Sequence, residues 1–176
     1  MTAAELNFEI WWVYKAVETR PKYINSMNHY LGFFRISIHA HFVANVIALY
    51  RLYETRPDSI SLSRLLKILP SDKLAKLSPE FRNKEERAKE IWRKIGLLRN
   101  NCFGHRNDEK GVSELFERAA LKPDEMLELV KLSKEILNDI SGVWDGSFYA
   151  FNIDAKSDTI RLLEDLNRLR THCIIG

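Results

Sequence analysis

Apolar residues recur at helical spacing along most of the chain. Between residues 3 and 19, Leu6, Ile10, Val13 and Val17 fall on one side. They predict a helix that stops before Pro21, because a residue ahead of a proline avoids the αR region. From Asn25 to about Glu54 the pattern continues through Met27, Leu31, Phe34, Ile38, Phe42, Val46, Leu49 and Tyr53, with no Pro to interrupt it. This stretch predicts a long helix, the spine of the core. Arg56-Pro57-Asp58-Ser59 reads as a turn, after which Ser61 can cap a short helix bearing Leu62, Leu65, Leu66 and Leu69 ahead of Pro70. A loop is expected around Ser78-Pro79, then a helix from Asn83 to about Asn101, a loop through Asn107 and Asp108 to Gly111, and helices near 124–141 and 156–171.

No stretch alternates β-branched residues with a period of two, and neither an internal repeat nor a sustained heptad is present. The expected fold class is therefore all-α, an antiparallel helical bundle in which the 25–54 and 83–101 helices pack through their apolar stripes. The chain has 176 residues, 45% of them apolar, enough for one continuous core. No Gly/Ser-rich or Pro-rich stretch is long enough for a linker, so a single domain over 1–176 is expected.

Net charge of +3 says little about partners, but its distribution says more. Residues 82–106 hold eight Lys/Arg against three acids, a balance of +5, while 123–142 hold five acids and two lysines, a balance of −3. The excess positive charge is thus expected where an RNA backbone would need it. Cys102 and Cys173 are too few and too far apart for a disulfide framework, and no signal segment opens the chain, which fits a reducing cytoplasm. The most apolar run, Phe42 to Tyr50, is interrupted by Asn45 and flanked by His41 and Arg51. It falls short of the roughly 20 residues that span a bilayer, and reads as a buried helix with no membrane role.

The chemistry gathers at the end of the 83–101 helix. Ala88, Ile91, Trp92, Ile95, Leu98 and Cys102 form its apolar stripe. Arg99 lies eleven residues past Ala88 and roughly 20° from it on the helical wheel, so its guanidinium emerges at the margin of an apolar surface and needs a partner. His105 follows six positions later, about 120° round a continuous helix. Gly104 offers the chain a way to leave the helix and turn the imidazole toward the arginine, with Asn100 and Asn101 able to bond the freed backbone groups.

An arginine, a polar residue and, a few positions on, a histidine at a helix C-terminus resemble the signature of HEPN ribonucleases. Here these are Arg99, Asn100 and His105. The chain further resembles the abortive-infection AbiU-type branch, through Leu49-Tyr50-Arg51-Leu52-Tyr53-Glu54, Asp58-Ser59-Ile60-Ser61-Leu62, Leu97-Leu98-Arg99-Asn100 and Gly104-His105-Arg106. The resemblance implies a HEPN-type bundle that dimerises and cuts RNA without metal or cofactor, leaving a 2′,3′-cyclic phosphate and a 5′-hydroxyl. In that reading His105 moves a proton, Arg99 holds the scissile phosphate, Asn100 orients the histidine or a phosphate oxygen, and Arg106 adds affinity for the RNA backbone. Gly104 stands where other members carry Ala.

The implied role is a toxin in phage defence, or in a toxin–antitoxin pair with an antitoxin protein as partner. A homodimer is expected to join beside the motif, since the apolar surface around Ala88, Trp92 and Ile95 is wide for one helix stripe. The alternative is a non-catalytic helical module that binds RNA, a nucleotide or a protein. The bland reading of the basic run 82–94 is a solvated face explained by its Glu and Lys neighbours. His39 and His41 point to nearly opposite sides of a helix, with no Cys or acid to complete a metal site. Cys102 continues the apolar stripe as a buried thiol, which argues against a Cys/His nucleophile.

Overall fold

The computed structural model describes the backbone of residues 1–104 and 112–173 and the side chains of 1–100 and 116–170. The described residues form nine helices and no strand, so the all-α expectation holds. In chain order they are α1 (Thr2–Lys15), α2 (Arg20–His29), α3 (Leu31–Leu52), α4 (Leu62–Ile68), α5 (Ser71–Leu74), α6 (Pro79–Gly104), α7 (Val112–Ala119), α8 (Pro123–Trp144) and α9 (Ala155–Cys173).

Helix ends differ from the sequence expectation for local reasons. α1 stops at Lys15, four residues short of 19, and the Thr19 hydroxyl donates to the carbonyls of Val13 (2.6 Å) and Ala16 (3.4 Å). Pro21 does more than end a helix: it lies in the first turn of α2, where its missing N–H is no loss. The long 25–54 spine is in fact two helices. Tyr30, at φ −108° and ψ 44°, leaves the helical region between α2 and α3, and its N–H still reaches the Ser26 carbonyl at 3.3 Å. The apolar spacing runs straight across this break, which hides it from periodicity; Leu31, counted into the stripe, is 59% exposed. Ser61 caps α4 as expected, its hydroxyl accepting from the Arg64 N–H at 3.2 Å. α6 begins at Pro79 rather than Asn83, and α5 and α7 are additional elements. The loop through Asn107 to Gly111 lies outside the described residues.

The chain packs as two units. A terminal unit comprises residues 2–45 and 152–176, and a central unit comprises Met1 and 46–151. In the terminal unit α1 and α2 lie against α9 around Val13, Tyr14, Tyr23, Met27, Phe34 and Leu163. Tyr14 meets Phe34 edge-on at 5.4 Å, the geometry that ring quadrupoles favour. Asn45, fully buried on α3, donates to the Ala4 carbonyl at 2.6 Å. The N-terminus of α9 is closed by α1: a Glu9 carboxylate oxygen accepts from the N–H groups of Ala155 (2.9 Å) and Lys156 (3.2 Å).

In the central unit α6 runs antiparallel along α8, with α7 against α6 and α4 against α8. Ala88, Ile91, Ile95 and Leu98 of α6 are fully buried, as the wheel predicts. Their burial corrects the reason given for a dimer beside the motif, because Ala88 and Ile95 are covered by the chain itself. α3 is 22 residues long and, by length and composition alone, apolar enough to cross a membrane, longer than the Phe42–Tyr50 run suggests. Its Phe34, Phe42, Val46 and Leu49 are buried in protein.

Candidate functional site

Helical spacing places Trp92, Gly96 and Arg99 on one face of α6, four and then three residues apart. Between Trp92 and Arg99 the helix rises about 10.5 Å, enough for one aromatic ring, and Gly96 leaves the notch between them empty of side chain. Tyr50, near the end of α3, fills that notch. Its ring stacks on Trp92 with centroids 5.5 Å apart and planes 26° from parallel. The Arg99 guanidinium carbon stands over the same ring, 4.5 Å from its centre. A Cβ on Gly96 would sit 3.6 Å from the ring edge. Trp92 Nε1 also donates to the Tyr50 carbonyl at 2.8 Å, tying the α3 backbone to the helix that carries the arginine.

Arg99 is therefore exposed yet held, by an aromatic face rather than by the carboxylate, carbonyl or phosphate expected of it. Its Nη1 donates to Asn100 Oδ1 at 3.3 Å, and Asn100 is itself exposed. The structure thus joins Arg99 to Asn100. His105 and Arg106 lie outside the described residues, as does the Cys102 side chain. Tyr50, Trp92 and Gly96 were missed as members of this site. A glycine midway between a tryptophan and an arginine on one helix face is the signal that could have found the notch; nothing in the sequence names its occupant.

The charge reading changes more. Lys84 pairs with Asp139 (3.0 Å) and Glu135 (3.2 Å), and Lys94 with Glu125 (2.6 Å). Arg87 grips Glu128 through two nitrogens, at 2.8 and 2.9 Å, and also reaches Glu90 (2.9 Å) and Glu125 (3.4 Å). Lys89 pairs with Glu85 one turn back. Three cations of the basic segment, Lys84, Arg87 and Lys94, are thus matched by acids of the acidic segment across α6 and α8, and Lys89 by an acid of its own helix. Hydrogen bonds from Arg87 hold the Glu128 carboxyl below its usual range. Burial works the other way at Glu125, but the Lys94 hydrogen bond, the Lys122 N–H and the two cations outweigh it, so this carboxyl too is held low. Burial likewise opposes charge on Lys84, while Asp139 and Glu135 keep its ammonium above the usual range. Of the α6 cations, Arg82 and Arg93 are exposed and, like Arg99, pair with no acid among the described residues.

The central unit also holds a cavity of about 480 Å³ just past Tyr50, lined by Arg51, Glu54, Arg56, Asp58, Ser59 and Ile60. Its charges are balanced in number, and Arg56 pairs with Asp58 at 3.1 Å. Among the described residues no three His, Cys, Asp or Glu side chains converge as metal ligands. The arrangement at Arg99 can present a planar, permanently charged donor edge to an oxyanion.

A family model described as AbiU2, HEPN_AbiU2, matches residues 1–169. No curated protein and no solved structure matches the chain.

Proposed function

Because the chain belongs to the AbiU2 family of HEPN domains, an abortive-infection group, we propose that it is a metal-independent endoribonuclease acting as a toxin in phage defence. The observation that carries this reading is the Arg99 guanidinium, exposed at the end of α6 and stacked on Tyr50, with Asn100 bonded beside it. A guanidinium held over a ring keeps donors besides the one given to Asn100, and these suit the oxygens of a phosphate.

In the proposed reaction the ribose 2′-oxygen attacks the adjacent phosphorus and its proton passes to a base, His105. The bond to the 5′-oxygen breaks, and that oxygen takes a proton from an acid, a second histidine or water. The products are a 2′,3′-cyclic phosphate and a 5′-hydroxyl. Arg99 stabilises the charge that grows on the non-bridging oxygens. Asn100 orients, and Arg106 adds backbone affinity. No cofactor takes part.

A homodimer, an antitoxin partner and a cytoplasmic site of action belong to the same proposal. The twofold would supply a second imidazole as the acid. Since Ala88 and Ile95 are buried within the chain, its apolar contact is assigned instead to exposed Phe33 and Ile36 on α3.

The test is cleavage of total cellular RNA by the purified chain in EDTA, with wild type, Arg99→Ala and His105→Ala compared. Metal-independent cutting by the wild type, abolished in His105→Ala and lowered roughly a hundredfold in Arg99→Ala, with 5′ ends that a kinase labels without prior phosphatase, is the expected result. Cutting that EDTA abolishes, or that His105→Ala retains, overturns it. A second reading, a non-catalytic module that binds a protein, is favoured by one observation: Lys84, Arg87, Lys89 and Lys94 are occupied by acids of the same chain. That reading prevails if no cellular RNA is cut.

A further inference from the structure

We propose that Tyr50 is a positioning residue for Arg99, an assignment that rests on the ribonuclease reading for its consequence but on the geometry of the central unit for its cause. Arginine carries several rotatable bonds, and an exposed one samples many directions. Arg99 is held on one side by the Tyr50 ring at 4.5 Å. The ring itself also stacks with Trp92, and the Trp92 indole N–H fixes the Tyr50 carbonyl. Gly96 lets the ring approach the helix that bears both neighbours. The ring therefore restricts where the guanidinium can lie, and with it the directions its donors can take. The phenol hydroxyl has no part in this; the aromatic face does.

A purely structural ring and a positioning ring predict different results. The first measurement is on the wild-type full chain without RNA: the Arg99 δ-methylene protons should be shifted upfield by the ring current of Tyr50, as they should in Tyr50→Phe. Their ordinary random-coil position in the wild type overturns the proposal, whether or not the chain cuts RNA. The second compares cleavage of a short single-stranded RNA. Tyr50→Leu should lower kcat/KM by roughly ten- to a hundredfold, the scale of a misplaced catalytic group. Tyr50→Phe should restore it to within about twofold, since the ring face is kept. In an Arg99→Ala background Tyr50→Leu should cause no further loss, because the two act as one unit. An equal loss in both backgrounds assigns Tyr50 to structure and overturns the proposal.

Gly96→Val provides an independent variant if Tyr50→Leu does not fold. Its methyl groups fill the notch and lift the ring while leaving Tyr50 in the chain; unchanged Arg99 shifts and unchanged cleavage there count against the proposal. Should the wild type cut no RNA at all, the ribonuclease reading fails, and the ring-current shift still decides whether Tyr50 holds Arg99.

Discussion

Arg87 and Glu128 face each other as a forked pair, Nε to Oε1 at 2.8 Å and Nη2 to Oε2 at 2.9 Å, and this pair joins α6 to α8. Both side chains are a little over one third exposed, so water screens them, and removing the carboxylate by Glu128→Gln should cost about 0.5–1 kcal/mol. The pair sets a pH dependence. The Arg87 contacts hold Glu128 below its ordinary value of 4.5 in the folded chain, so the stability it contributes is complete above that value and is lost as pH falls through the depressed one. Thermal unfolding between pH 3 and 7 should show a steeper acid decline for wild type than for Glu128→Gln. Parallel curves would deny the pair this role.

Tyr53 predicts an alkaline limit. Ser133 donates its hydroxyl hydrogen to the Leu129 carbonyl at 2.6 Å, so the buried Tyr53 phenol must donate to Ser133 Oγ, 3.1 Å away. Burial pushes the Tyr53 hydroxyl from 10 up to about 12. The unfolded chain ionises first, so stability is intact below pH 10 and falls as pH rises toward 12. Tyr53→Phe should remove that part of the alkaline decline and cost about 1 kcal/mol at pH 7 for the lost hydrogen bond. Unfolding followed from pH 8 to 11.5 checks both effects.

Gly96 predicts opposite outcomes for two substitutions. An alanine Cβ would stand 3.6 Å from the Tyr50 ring, an ordinary contact, and alanine is the better helix former by about 0.8–1 kcal/mol. Gly96→Ala should therefore raise the melting temperature. Gly96→Val should lower it, because a branched side chain needs the space the ring occupies.

Arg99→Lys tests the donor edge separately from the charge. Lysine keeps the positive charge but has neither a flat face for Tyr50 nor a two-pronged donor. Cleavage should fall roughly a hundredfold, close to Arg99→Ala. A lysine variant near wild-type activity would reduce Arg99 to a point charge.

Ile36→Glu tests the proposed α3 contact. Ile36 is 71% exposed, so the substitution leaves the buried core untouched. A dimer by light scattering that becomes monomeric in the variant supports the contact; a monomeric wild type removes it.

Local rules carried the reading furthest where a helix owes its limits to its own residues. Ser61 closes α4 with its own hydroxyl, and Ala88, Ile91, Ile95 and Leu98 face inward because their spacing matches the helical turn. Arg99 and Asn100 were legible as neighbours for the same reason: they sit side by side near one helix end.

Tertiary packing decided the rest. Spacing identifies the apolar face of a helix but not what covers it, so the break at Tyr30, where the apolar rhythm continues while the backbone turns, left no mark in the pattern. Net charge by segment counts ions without pairing them, and only the antiparallel placement of α6 on α8 made acids of α8 the partners of Lys84, Arg87 and Lys94. Tyr50 reaches Arg99 across 49 positions of chain, a contact that closes only when α3 and α6 meet at Gly96. By itself the sequence determined that Arg99 and Asn100 ride on one helix and which face of that helix is buried. The fold decided which of the charges remain available, and which ring holds the arginine, because both depend on contacts between residues far apart in the chain.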